Sequence, residues 1–308
     1  MSGEAEREQF ERLAKKIDPQ STLLSYRELK GGVSAQVTYL KVGTSEGHLK
    51  RMIVRSHGEN DRKQNPQIAA DEFRLLQLLR TAGVAVPAPL YLDQSGEIFS
   101  TPYLVIEFVD GSAELFDLQA TDFIPQMTKH LLQIHQISSL EHDYSFLPSL
   151  SWLIGNKLAR RPVALDESLD EGRIRDGLEA VWPLPQVNQN RLLHGDYWPG
   201  NLLWKDGTLV AILDWEDAAI GDPLADVANA RLELLWAFGV ETMDEFTESY
   251  RKQAGNLDFT HLPYWDLVAA LRPASHLSSW GLEPQVEIRM RERHRWFVEQ
   301  AMAKLSSS

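Results

Sequence analysis

The 308-residue chain contains no cysteine. Disulfides, thiolate metal sites and cysteine nucleophiles are therefore excluded. It also lacks any run near the ~18 apolar residues that a membrane-spanning helix requires. Its first residues, MSGEAEREQFERLAKK, are charged and lack the apolar stretch of a signal peptide. Together these absences set an expectation of cytoplasmic residence with no membrane partner. A basic surplus is missing too: 31 Lys and Arg stand against 44 Asp and Glu, a net charge of −13. The imbalance is uneven, −1 over residues 1–110 and −12 over residues 111–308. A phosphate backbone requires a basic face, so nucleic acid is not an expected partner. The acidity would suit a cationic substrate by field focusing, and serves solubility equally well.

What is present is the composition of an ordinary globular chain, 43% hydrophobic and 24% charged. The length fits one two-lobed unit or two domains. Phe10, Leu13, Ala14 and Ile17 are spaced for an amphipathic helix over residues 4–17. Tyr26 to Val42 and His48 to Arg55 read as strands around the turn signals Gly31-Gly32 and Gly43 to Gly47. Gln67 to Thr81 reads as a helix, and Tyr103 to Val109 as a strand ending at Asp110-Gly111. Beyond Asp122 helical spacing dominates. Segments are expected over Phe123–Ile137, Asp166–Val181, Asp222–Phe238, Met243–Gln253, Tyr264–Ser279 and Pro284–Lys304. The expected fold is α+β: a small β-rich lobe over 1–107, a connector over 108–113, and a larger helical lobe over 114–308.

Chemistry concentrates in RLLHGDYWPGNLLWKDGTLVAILDWEDAAIGDPLADVA. Asp196, Asn201 and Asp214 each adjoin a short apolar segment. Lys205-Asp206-Gly207 is a hairpin signal that would bring Asn201 and Asp214 to one end of two strands. A carboxylate and an amide oxygen so placed suit Mg²⁺, which takes one or two protein oxygens beside phosphate and water. Asp196, five residues earlier, could reach a substrate hydroxyl. Phosphoryl transfer needs in-line positioning, charge neutralisation and a proton acceptor for that hydroxyl. A structural role for His194, bonding loop backbone, fits the same stretch.

His-Gly-Asp-x4-Asn followed by Leu-Asp-Trp-Glu resembles the aminoglycoside phosphotransferase/choline kinase family, small-molecule kinases of protein-kinase-like fold. The resemblance spans roughly residues 25–240. It implies a catalytic role for Asp196, Mg²⁺ ligation by Asn201 and Asp214, and ATP as the phosphate donor. Gly221-Asp222-Pro223-Leu224-Ala225-Asp226 matches a further family motif, in which Asp226 would tether the catalytic loop. Gly32 and Ser34 lie in a strand–turn–strand suited to covering phosphates, although Ala35 stands where many members carry Asn. That stretch is neither a Gly-x-Gly-x-x-Gly fingerprint nor a P-loop. Arg55 stands where kinases carry a phosphate-binding lysine, with Glu72 as its expected partner and Asp71 as the alternative. Glu107 to Val109 would present backbone to adenine.

Only six residues, Trp215 to Ile220, separate Asp214 from Gly221-Asp222-Pro223, too few for a peptide-holding activation segment. The expected acceptor is therefore a small molecule. Glu216, Glu233 and Asp266 are candidate acceptor contacts, with Asp217 as a further acid. Trp236, Trp265 and Trp280 are candidate aromatic walls. The alternatives are a choline, homoserine or sugar kinase, a non-catalytic nucleotide-binding module, and a metal-dependent hydrolase. Oligomeric state is left open.

Overall fold

The structure is a computed structural model, and it describes residues 3–29, 35–115, 118–137 and 143–306. The chain divides into two compact units: residues 1–111 with 210–213, and residues 112–209 with 214–308. Among the described residues no helix is long and apolar enough to cross a membrane.

The first unit opens with α1 (Gly3–Ile17), whose Phe10, Leu13 and Ala14 are buried at helical spacing. Strands β1 (Thr22–Leu29), β2 (Ala35–Gly43) and β3 (Leu49–His57) follow. Helices α2 (Glu59–Gln64) and α3 (Ile68–Thr81) precede β4 (Pro89–Asp93) and β5 (Tyr103–Glu107). The strands form one sheet in the order β1-β2-β3-β5-β4, with every neighbouring pair antiparallel. Alternation along β2 turns Thr38, Leu40 and Val42 inward. Leu40 and Val42 join Leu23, Met52, Val54, Tyr103, Val105 and the buried stripe of α1 in one apolar core.

The second unit is mainly helical. It comprises α4 (Ala120–His135), α5 (Leu150–Ala159), α6 (Glu171–Glu179) and the short strand β6 (Arg191–Leu193). A hairpin of β7 (Leu202–Lys205) and β8 (Thr208–Ile212) comes next, residues 210–212 of β8 being counted with the first unit. Asp206 and Gly207 turn it with positive φ at both positions, the backbone a tight two-residue hairpin demands. Gln126 of α4 pins this turn, donating to the Gly207 carbonyl and accepting from the Leu209 N–H. Strand β9 (Ala219–Gly221) pairs antiparallel with β6. Helices α7 (Leu224–Phe238), α8 (Val240–Gln253), α9 (Leu262–Ala270) and α10 (Pro284–Ser306) complete the chain. Helix α7 is buried on nearly every side and packs against α8, α9 and α10. Polar residues that it carries are thereby fixed in position.

The α+β arrangement of a small antiparallel sheet followed by a helical unit is as the sequence implies. Several elements differ. The helix expected over Tyr264–Ser279 ends at Ala270. Helices α2 and α5 and strands β4 and β9 carry no counterpart in the sequence reading.

Candidate active site

In the second unit the site is built from two loops and one helix face. The β6 strand delivers His194-Gly195-Asp196, and the β7–β8 hairpin holds Asn201 just before its first strand and Asp214 just after its second. Gly195 has φ +84°, and a Cβ there would collide with the Asp217 carbonyl, so only glycine fits. Asp214 has φ +63°, left-handed backbone that aspartate tolerates better than most residues. Non-glycine residues in this region concentrate where function demands a particular geometry.

The β6 loop is clamped from below by α7. Both Asp226 oxygens accept loop N–H groups, Oδ2 from His194 at 2.8 Å and Oδ1 from Gly195 at 2.9 Å. His135 Nε2 lies 3.1 Å from Asp226 Oδ2, and its Nδ1 lies 2.6 Å from the Tyr250 hydroxyl. Burial works against the Asp226 charge. The His135 bond and charge, His194 and the Gly195 N–H outweigh it and hold the carboxyl below its ordinary range. His194 is fully buried against Trp215 and Tyr197, and its Nδ1 accepts the Asp196 N–H at 3.2 Å.

Asp196 is itself tightly held. Asn201 Nδ2 donates to its carbonyl at 2.9 Å and to its Oδ2 at 3.1 Å. Arg272, just beyond the end of α9, donates to Asp196 Oδ1 at 3.1 Å, to Asp217 Oδ2 at 3.0 Å and to the Gly195 carbonyl. Asn229 of α7 approaches Oδ1 at 3.5 Å. Burial pushes Asp196 above the usual carboxylate range; Asp217 and Asp214 push the same way, while Arg272 and His194 oppose them. Asp226, Asn229 and Glu233 fall at i, i+3 and i+7 of α7, one face of the helix.

Glu233 is part-buried. Burial, with Asp196 adding and Arg272 opposing, pushes its carboxyl from 4.5 up to about 8. The fold therefore keeps it protonated at neutral pH, whereas the unfolded chain ionises it above about 4.5. Stability is lost as pH rises from the unfolded value through the folded one. Glu233→Gln, neutral at every pH, should gain about 1–3 kcal/mol at pH 8.5 and nothing at pH 4, measured by thermal melts. An equal gain at both pH values would contradict this account.

Other expected residues fall elsewhere. Asp266 is buried in α9, where Arg231 Nε donates to Oδ1 at 3.0 Å and Nη2 to Oδ2 at 3.3 Å. It is a core ion pair and not the wall of a pocket. Trp236 and Trp265 are likewise buried, while Trp280 is exposed. Glu216 is part-buried two residues beyond Asp214.

In the first unit, Arg55 Nε lies 3.4 Å from Glu72 Oε2, and His57 Nε2 lies 2.7 Å from the same oxygen. Burial opposes the Glu72 charge, but Arg55 and His57 hold its pKa below the ordinary value. The alternative Asp71 accepts instead from Asn65, and Arg51 is occupied by Asp110 through two bonds of 2.6 Å. Along Glu107 to Val109, the Glu107 N–H donates to Ala88 and the Phe108 N–H to Arg51. Gly32 and Ser34 lie outside the described residues.

Sequence reasoning missed His57, Asn229 and Arg272. His57 carried a usable signal, since residues two apart on a strand share a face. Asn229 sits three residues beyond Asp226 on a helix, so the same face was available to it too. Nothing local marks Arg272 as a neighbour of a loop 76 residues away.

Among the described residues no group of three or more His, Asp or Glu could hold a metal by itself. Asn201 and Asp214 carry an amide oxygen and a carboxylate, ligand types suited to Mg²⁺, which takes one or two protein oxygens beside phosphate and water.

Comparison with known proteins places this architecture. Mouse acyl-CoA dehydrogenase family member 10 is 29% identical over 179 residues, 52% of this chain and 16% of that protein. Human acyl-CoA dehydrogenase family member 11 is 24% identical over 230 residues, 65% of this chain and 29% of that protein. The chain thus spans less than a third of the length of these curated relatives. The GDP complex of wild-type aminoglycoside 2'-phosphotransferase-IIIa shares 18% identity and superposes with a TM-score of 0.65, covering 98% of this chain and 97% of that one. Macrolide 2'-phosphotransferase type I shares 16% identity at a TM-score of 0.65, covering 94% and 96%. These likenesses establish a common, protein-kinase-like fold. The model of the phosphotransferase enzyme family matches residues 25–271, and the chain belongs to that family.

Proposed function

We propose that this chain transfers the γ-phosphate of ATP to a hydroxyl of a small molecule. The observation that carries the reading is the joint placement of Asp196, Asn201 and Asp214. The Asn201 amide holds the Asp196 carboxylate, and Asp214 is close enough to act on its charge. Family membership supports it, as do structural neighbours that hold nucleotide: GDP in one, AMP-PNP with hygromycin B in another.

In this reading Asp196 orients the acceptor hydroxyl and takes its proton as the oxygen attacks phosphorus. Burial and neighbouring carboxylates raise its proton affinity, the direction that favours a proton acceptor. With its amide nitrogen committed to Asp196, Asn201 would use its oxygen, beside Asp214, to hold Mg²⁺. That ion, when bound, supplies neutralisation of phosphate charge. Arg55, paired with Glu72, which His57 also contacts, is the cation proposed for phosphate. With two amides of the Glu107–Val109 stretch already bonded, the Val109 N–H is the group proposed for adenine. Gly32 and Ser34 are proposed phosphate contacts on sequence alone. Glu216 and Glu233 are proposed acceptor contacts. The acceptor is small because β9 and α7 follow Asp214 after a few residues. Cytoplasmic residence, where ATP is supplied, belongs to the same proposal.

An ATP-consumption screen across aminoglycosides, macrolides, choline, homoserine and sugars tests the activity. Acceptor-dependent ADP release is expected; ATP binding with no acceptor-dependent turnover would favour a non-catalytic nucleotide-binding module. Asp214→Ala should weaken Mg²⁺-ATP binding by at least the ~10–100-fold typical of a disturbed metal site. Isothermal titration with and without Mg²⁺ reads this directly. An unchanged Mg²⁺ dependence would remove Asp214 as a ligand.

A further inference from the structure

Acid surplus over residues 111–308 would by itself point to a cationic acceptor. The immediate surroundings of Asp196 are different in charge. Arg272 leaves the last turn of α9, its backbone N–H still bonded to the Ala269 carbonyl. The next residue is Pro273, and proline disfavours helical backbone at the residue before it. From there the guanidinium lies between Asp196 and Asp217, with part of its side chain, 37%, open to solvent.

The donor count is informative. Of five guanidinium N–H groups, both on Nη2 serve Asp196 and Asp217, and one on Nη1 serves the Gly195 carbonyl. The Nε–H and the second Nη1–H are left over. They lie on different edges of the planar group, so neither edge can grip a carboxylate or phosphate bidentately. Single oxygens such as hydroxyls or ethers fit these two donors.

An ammonium group seeking Asp196 Oδ1 would meet the guanidinium at the same oxygen. Like charges at contact distance repel strongly where water is partly excluded. Asp217 is a poor substitute anchor, because its Oδ2 already pairs with the same guanidinium, which would stand beside any ammonium bound there. Nearby Glu233, kept protonated by burial, adds no anionic attraction at neutral pH.

We infer that Arg272 selects the acceptor by charge: it holds Asp196 for a hydroxyl on an uncharged, oxygen-rich molecule and excludes polycationic acceptors. This rests on the phosphotransferase reading for the identity of Asp196 as the proton acceptor.

Calorimetric titration of the whole chain with kanamycin, a polycation, tests the exclusion without needing turnover. Wild-type protein should show no binding up to ~1 mM, and Arg272→Gln should bind at least ~10-fold more tightly, because removing the like charge unmasks Asp196 and Asp217. Arg272→Lys, which keeps the charge, should stay as exclusive as wild type. In the ATP-consumption assay, neutral sugars and polyols should be the productive panel. There Arg272→Gln should lower kcat ~10–100-fold with the KM for ATP unchanged, and Arg272→Lys should recover part of the loss. Micromolar binding of kanamycin by wild-type protein overturns the proposal whatever the variants do. So does an affinity that Arg272→Gln leaves unaltered. Absence of ATP binding, by contrast, would defeat the phosphotransferase reading and leave the kanamycin result to judge the exclusion by Arg272.

Discussion

Asp196→Ala is expected to reduce phosphate transfer by about 10²–10⁴-fold while leaving ATP binding close to wild type. The carboxylate is held on both oxygens, by Asn201 on Oδ2 and by Arg272 on Oδ1, so it arrives already oriented. In the proposed reading that orientation serves the acceptor, and no nucleotide-binding role is assigned to it. The loss should therefore fall on kcat, with the KM for ATP unmoved. Asp196→Asn is the sharper variant, since it keeps the shape and removes the base. Steady-state kinetics with a productive acceptor decide the matter, and a kcat within a few-fold of wild type would remove Asp196 from the chemistry.

The second large effect lies one layer below. Asp226→Ala would leave the His194 and Gly195 N–H groups without their acceptor and His135 without its carboxylate, all inside the core. Removing one partner from a buried charged network costs about 3–5 kcal/mol. The melting temperature should fall by about 10 °C, with activity lost even where the protein remains folded, because the loop bearing Asp196 loses its clamp. Asp226→Asn, which keeps an acceptor oxygen but no charge, should be intermediate. Thermal melts together with kinetics at low temperature separate the two losses. Full activity in folded Asp226→Ala would show that the loop holds itself.

These two residues also show how far the sequence could be read. Asp196, Asn201 and Asp214 were legible because their flanking apolar segments and the Asp206-Gly207 turn constrain local backbone, and the turn forms as that signal requires. Asp226 was legible through its motif. Arg272 was not, because its neighbours are set by where α9 stops. The helical spacing over Tyr264–Ser279 concealed that stop, and Pro273 was the overlooked marker. Asp266 illustrates the converse error. An acid in an acidic lobe suggested a binding contact, but sequence spacing did not reveal that Arg231 lies across from it in the core.

The missed elements have equally specific causes. Helix α5 buries only Leu158, leaving Trp152 and Leu153 exposed, so it lacks the one-sided apolar stripe that marks a packed helix. Strand β4 begins at Pro89 and lies at the edge of its sheet, where proline is tolerated but disguises a strand. The adenine contact proposed for the backbone of Glu107 to Val109 would leave no side-chain signature by its nature.

The central claim is transfer of phosphate to a hydroxyl, and product identity tests it most directly. Phosphorus NMR of a reaction containing ATP, Mg²⁺ and a neutral polyol panel should show a new phosphomonoester resonance growing in step with ADP, abolished in Asp196→Asn. ADP and inorganic phosphate appearing in equal amounts with no ester, or Mg²⁺-dependent hydrolysis of an ester without any need for ATP, would contradict it.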